Sequence, residues 1–381
     1  MFTIIGATLM TLVVASPAYA WRLTRPASRS AITTPRNVVS QRGRARPAVR
    51  TRKAIITPAP STSSASSSSA RFAPADPDSD VSQRGRIVVL GTVSPVLGAL
   101  QIFSNAEPII ATSFSVTLTS AVTSVDHLLL YDHDARLIGV ARLDTSVSGN
   151  ATYVLRLKTK DIQIPRREEY SFYVRAKLKT RDQGGVSGET VQISSAKVNG
   201  DGAWSNRSYE QTATGAFSQH ETARSAIVSV HNVGAFQEAI IGGSTVEIGK
   251  FGFSGIRGDG GADVRLTELT FTISQVGGVT LSSVQIAADG SSDRRDCTVT
   301  SSTITCMLTA AFGSLTSGDR VLTLLADVTV PSSAARASLQ ISLNEAGNPT
   351  TPGSVTWTDG SETFTWVGLE SPVARGTYYS Y

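Results

Sequence analysis

An all-β chain, with two tandem antiparallel β-sandwich domains behind a disordered basic N-terminal arm, is the fold that this sequence predicts. Three observations predict it. First, the chain repeats itself: Glu169–Leu178 followed by Thr190–Ser194 matches Asp319–Val328 followed by Ser338–Ser342, and upstream Ser113–Leu118 matches Glu268–Ile273. Near-constant offsets of this kind mark one module copied once, with small changes in loop length. Second, apolar residues alternate over runs of four to eight positions with Gly, Asp, Asn and Pro between them, which is the signature of strands and turns; no amphipathic stretch of helical length interrupts them. Third, apolar residues make up 40% of the 381 residues and charged ones only 17%. The chain is long enough for two domains, each burying its own core.

Taken in order, residues 1–20 read as a secretory signal. Ile4, Ile5, Leu9, Met10, Leu12, Val13 and Val14 supply the apolar region, Pro17 breaks it, and Ala18-Tyr19-Ala20 offers a small-x-small cleavage site before Trp21. The apolar run is short for a membrane span, and its leading end lacks Lys and Arg. Residues 21–84 read as an unstructured arm. Residues 21–53 hold ten of the basic residues and no acid, among them Arg42, Arg44, Arg46, Arg50, Arg52 and Lys53. That leaves 25 basic and 30 acidic residues for 71–381, so the net charge of +5 belongs to the arm and the folded part is mildly acidic. The Ser-rich stretch 58–69 cannot bury enough apolar area to offset its conformational entropy. The arm suits a flexible tether drawn to wall or surface polyanions. With almost no aromatic residue to stack on bases, it does not suit nucleic acid.

The first sandwich, with its connector, is expected over 85–222. Its strands are read at Ile87–Leu90, Leu100–Phe103, Ile110–Leu118, His127–Tyr131, Leu137–Val140, Tyr153–Leu157 and the repeat strands, and residues 203–222 as the connector. The second sandwich is expected over 223–381. Ile227–Val230 and Val246–Phe253 open it as counterparts of the first strands of the earlier copy, and a Tyr-rich tail follows Trp366.

Cys297 and Cys306 carry the sharpest local inference. A two-residue turn at Ser301-Ser302 places Thr300 opposite Thr303, Val299 opposite Ile304 and Cys297 opposite Cys306. Counted outward from the turn, the cysteines form a non-hydrogen-bonded pair, where side chains approach closely enough for a disulfide. Export makes the oxidised form plausible.

A catalytic constellation is not found. His127, His133, His220 and His231 lie in no metalloprotease, nucleophile-elbow or Cys–His context. Asp132-His133-Asp134 offers three metal-ligand types, but a polar triplet between two strands reads first as a turn, and no cofactor is expected. A sugar-binding alternative would use Trp204, Trp357, Trp366, Tyr378 and Tyr379 as stacking platforms, provided they are exposed in a row.

Lys250–Phe253, Leu269–Ile273, Leu322–Val328 and the Gln-Ile-Ser strands resemble the tandem, Ig-like β-sandwich modules of bacterial secreted and cell-surface proteins. Gln101–Phe103 stands where the first copy departs from the Lys-Phe-x-Phe pattern. The resemblance covers roughly 85–381 and implies stalk, surface-layer or adhesive roles, transferring no functional residue. The expectation is a non-enzymatic exported surface or extracellular protein, acting as a spacer or adhesion module. Carbohydrate binding is the alternative, and a β-sandwich hydrolase is the weaker one. No transmembrane helix is expected after signal cleavage.

Overall fold

The computed structural model describes residues 69–73, 85–146, 149–158, 162–215, 217–315, 319–334 and 336–381. The expected signal sequence, residues 1–20, and the six basic arm residues named above lie outside these residues. Among the described residues, no helix is long and apolar enough to cross a membrane.

Among the described residues, thirteen strands build the first sandwich. They are β1 Ser69–Ala73, β2 Ile87–Val89, β3 Gly98–Phe103, β4 Ile109–Leu118, β5 Val125–Tyr131, β6 Leu137–Leu143 and β7 Thr152–Arg156, then β8 Gln163–Ile164, β9 Glu169–Leu178, β10 Thr190–Val191, β11 Ile193–Gly202, β12 Ser208–Thr214 and β13 His220–Ala223. One sheet runs β1-β3-β9-β5-β6 and the other β7-β4-β11-β12. Strand β6 belongs to both: Leu128 faces Ala141 on one side, and Arg142 faces Val154 on the other. At the far end, β10 pairs with β13, and β13 runs parallel to β2.

Among the described residues, fourteen strands build the second sandwich. They are β14 Ala226–Asn232, β15 Gln237–Ala239, β16 Gly243–Ile256, β17 Val264–Val276, β18 Thr280–Ala288, β19 Arg294–Asp296 and β20 Thr298–Val299, then β21 Thr303–Met307, β22 Ser314–Leu315, β23 Arg320–Thr329, β24 Ser338–Leu343, β25 Val355–Thr358, β26 Thr363–Phe364 and β27 Ala374–Ser380. One sheet runs β14-β16-β23-β18-β19 and the other β15-β27-β24-β17-β21-β20. A single turn of helix, Ala310–Gly313, interrupts the strands.

The pairing shows that one fold occurs twice. Leu118 faces Ile193 in the first copy and Ile273 faces Ile341 in the second. These are the positions that the sequence repeat aligns. Leu100 faces Phe172, and Phe251 faces Leu322. The second copy thus carries the larger ring on the opposite strand, and Gly376 makes room for it: a Cβ there would lie 3.1 Å from the Phe251 ring and 2.2 Å from the Ile341 oxygen. In the first copy the ring of Phe217 fills the space beside Gly98 instead. Inward residues alternate along β9 and β23, and they gather in two separate cores, one within 88–213 and one within 223–379. Each fully buried Leu, Ile or Phe contributes on the order of 2 kcal/mol through the area it removes from water.

Four expectations need correction. The first sandwich begins inside the stretch expected to be unstructured: Ser69–Ala73 pairs with β3 as β14 pairs with β16. Ile87–Val89 therefore corresponds to β15, the strand that runs parallel to the last strand of its copy, and not to Ile227–Val230. The connector 203–222 contains β12, the last strand of its sheet, whose inward positions are Gln211 and Ala213. Finally, the stretch that replaces Lys250–Phe253 in the first copy starts at Leu100 rather than Gln101, with Leu100 and Ile102 the inward counterparts of Phe251 and Phe253.

Candidate interaction surfaces

Cys297 and Cys306 are joined in a disulfide with Cα atoms 4.4 Å apart. The hairpin has the register read from the sequence: Thr298 faces Thr305, Val299 faces Ile304, and the Thr300 amide donates to the Thr303 carbonyl at 2.9 Å. The reason for a covalent tie lies in the fold. The Cys297 amide donates to Val284 in one sheet, at 2.9 Å, while the next residue pairs into the other sheet. The chain changes sheets at Cys297, and the bond fastens that crossing to the buried Cys306.

The Asp132-His133-Asp134 triplet is the head of the β5–β6 hairpin. Asp132 is buried and accepts from the amides of Asp134 at 3.0 Å and Arg136 at 2.8 Å and from the Arg136 guanidinium at 3.1 Å. Those donors outweigh the cost of burial and hold its carboxyl below the ordinary aspartate value. His133 packs edge-on against Tyr170. The three ligand-type side chains are close together, but the buried carboxylate already serves the turn.

The aromatic platforms do not form a row. Trp357 is fully buried, stacked on Phe364, with its indole N–H donating to the Trp366 carbonyl at 2.8 Å. Trp366 and Tyr379 are buried as well, leaving Trp204 and Tyr378 exposed on different sandwiches. Sugar stacking along these five residues is therefore set aside: an indole whose N–H finds a partner inside the fold is retained there by its large apolar area.

The two sandwiches meet through hydrogen bonds that the sequence did not announce. Asp359, buried in the β25–β26 turn, accepts from the Ser187 hydroxyl at 2.6 Å and from the Arg224 amide at 2.7 Å, and also from the amides of Ser361 and Glu362. The Trp366 indole donates to Glu221 on β13 at 2.6 Å, and the Arg86 guanidinium donates to the Gly368 carbonyl at 3.2 Å. The Asp259 amide donates to Arg224 at 2.8 Å, and Gly258 fits there because a Cβ would lie 1.5 Å from the Arg224 oxygen. Burial pushes the Glu221 carboxyl up, against the pull of its bond to Trp366. Beside it, His220 is buried with neither ring nitrogen bonded among the described residues. Burial, reinforced by the positive charge of Arg86, pushes its imidazole down to about 4.

Two surfaces remain open at the ends away from this junction. At one, the turn between β11 and β12 carries Trp204, 68% exposed, with the Arg166 guanidinium 5.8 Å from its ring centre. Glu107 fixes that turn. Its carboxylate accepts from the amides of Trp204 at 2.7 Å and Ser205 at 2.9 Å, from the Ser205 hydroxyl, and from Tyr209 at 2.9 Å. Led by the Ser205 hydroxyl, these donors hold the Glu107 carboxyl down to about 2. At the other end, a crevice of about 220 Å³ opens between the sheets of the second sandwich, lined by Ile240, Ile248, Val328, Leu339 and Tyr379. Glu238 and Glu247 stand at its lining, and the neighbouring Phe236 and Ile241 are exposed.

No protein-family model matches the chain, and no curated protein matches it. Among solved structures, it is similar to the C-terminal domain of the Streptococcus agalactiae AgI/II polypeptide BspA, at 11% identity and a TM-score of 0.23, over 78% of this chain and 98% of that one. It is also similar to the collagen adhesin CNA from S. aureus, at 9% identity and a TM-score of 0.19, over 78% of this chain and 97% of that one. A third is BcpA, the major pilin subunit of Bacillus cereus, at 9% identity and a TM-score of 0.20, over 83% of this chain and 66% of that one.

Proposed function

We propose that this chain is a non-enzymatic, exported surface or extracellular protein whose two sandwiches act together as a stiff spacer or adhesion module. The junction is the observation that carries this reading. A buried carboxylate, a buried indole and the strand β13, which leads into β14 through Arg224 and Ser225, tie the copies together. Hydrogen bonds to a buried charge are each worth on the order of 1.5–3 kcal/mol, enough to hold the two copies in one arrangement. A module meant only to bind a small ligand gains nothing from such a joint; a spacer does. The basic arm, with Arg42, Arg44, Arg46, Arg50, Arg52 and Lys53, would hold the chain at an anionic wall or membrane surface, and the signal sequence would deliver it there.

The test is to fractionate cells and treat intact ones with a protease. The proposal expects the chain in the surface or extracellular fraction and clipped in the arm, with the sandwiches surviving as one fragment. Recovery in the cytosol would refute export. Cleavage between the sandwiches in the native protein would refute the stiff joint.

A further inference from the structure

We propose that copies of this chain associate head to tail, the Trp204 turn of one copy seating in the apolar crevice of the second sandwich of another. Trp204 lies in the connection between β11 and β12, and Trp366 lies in the corresponding connection between β24 and β27. Within the chain, Trp366 reaches the tail of the first sandwich and donates to Glu221 on β13. It is thereby buried, whereas Trp204 is left exposed.

The tail of the second sandwich is built like the tail that Trp366 meets. Strand β2 runs parallel to β13 there, and β15 runs parallel to β27 here. Val191 faces His220 in the first copy, and Leu339 faces Tyr379 in the second. The first tail is covered by its neighbour, through Trp366, Gly368 and Asp359. The second presents β15 with all three residues exposed and the crevice beside it. A cavity of about 150 Å³ can hold a benzene ring, so about 220 Å³ admits an aromatic side chain.

Charge matches as well as size. Arg166 lies over the exposed indole, and Glu238 and Glu247 stand at the crevice. Glu238, on the edge strand, offers an acceptor to the indole N–H, as Glu221 does at the internal joint. The two surfaces cannot meet within one copy. Trp204 follows β11, whose ten residues lead away from the junction over about 33 Å. Ile248 and Gly258 are likewise separated by most of β16, so the crevice also lies away from the junction. An interface between unlike surfaces repeats from copy to copy and grows rings or open chains.

Sedimentation velocity over a concentration series of the purified protein tests this. The native chain should grow with concentration beyond a dimer. Trp204→Ala, and separately Glu238→Lys combined with Glu247→Lys, should each weaken association about thirtyfold or more, as expected for loss of a central aromatic anchor or of its charge partners. All three positions are exposed, so thermal unfolding of the variants should match that of the native chain. Each variant keeps the surface that the other has lost, so mixing the two should give a one-to-one dimer that grows no further. A native chain that stays monomeric throughout, variants that assemble like the native chain, or a mixture that forms no dimer would each overturn the proposal. None of these outcomes depends on where the protein resides.

Discussion

Replacing His220 with leucine should flatten the stability of this protein against pH. The ring is buried at the junction with both nitrogens unbonded among the described residues, and its folded pKa is about 4 against 6.5 for the free side chain. Between those values the unfolded chain binds a proton that the folded one refuses, so stability rises with pH across the window and is lost as pH falls from 6.5 towards 4. The full difference corresponds to about 3 kcal/mol, of which about 2 kcal/mol is lost between about pH 7 and about pH 5. Glu107 does not blur that interval, because its contribution, from a carboxyl held down to about 2, disappears only below the ordinary glutamate value of 4.5. Glu221, with its raised pKa, acts in the opposite sense and is common to both proteins. Urea unfolding followed by tryptophan fluorescence at several pH values measures the slope for the native chain and for His220→Leu. The native protein should lose stability towards pH 5 and the variant should lose about 2 kcal/mol less. Equal slopes would refute the assignment of this acid sensitivity to His220.

Three further outcomes follow from the packing. Reduction of the Cys297–Cys306 bond, or Cys297→Ser, should cost about 2–3 kcal/mol in denaturant unfolding, the entropy of closing a short loop in the unfolded chain. Gly376→Ala should destabilise the second sandwich by about 1–3 kcal/mol, because the added methyl meets the Ile341 carbonyl and the Phe251 ring; calorimetry reads this as a lowered transition. Asp359→Ala should leave each core intact but expose the 219–225 segment to limited proteolysis, since the Ser187 hydroxyl and Arg224 amide lose their acceptor.

What could be read from the sequence was the part decided by burial on alternate residues. Glu169–Leu178 and Arg320–Thr329 are central strands, inward at every second position, and the same rule exposed the repeat. The Cys297–Cys306 register was legible because a two-residue turn leaves a hairpin one counting scheme. Edge strands escaped notice. Ser69–Ala73 sits in a Ser-rich run with a single large apolar residue, and Ser208–Thr214 places the polar Gln211 and the small Ala213 at its buried positions beside a half-buried Tyr209, so neither carries a clear apolar period-two signal. The surfaces were hidden for a different reason: they depend on long-range contacts. Nothing local tells that Glu107 holds the amide of Trp204, 97 residues away, or that Asp359 accepts from Ser187, 172 residues away. Residue type alone placed five aromatics in one class, and only the fold separates the buried Trp357, Trp366 and Tyr379 from the exposed Trp204 and Tyr378.

A pulsed electron–electron distance measurement addresses the joint between the two sandwiches directly. Both native cysteines are tied up in the disulfide, so spin labels at Glu210→Cys and Asp293→Cys, exposed positions on opposite sandwiches, would report only on the joint when carried on the Trp204→Ala background, which keeps copies apart. A single narrow distance distribution, broadened by Asp359→Ala, is the predicted result. A broad distribution in the protein with Asp359 in place would contradict it.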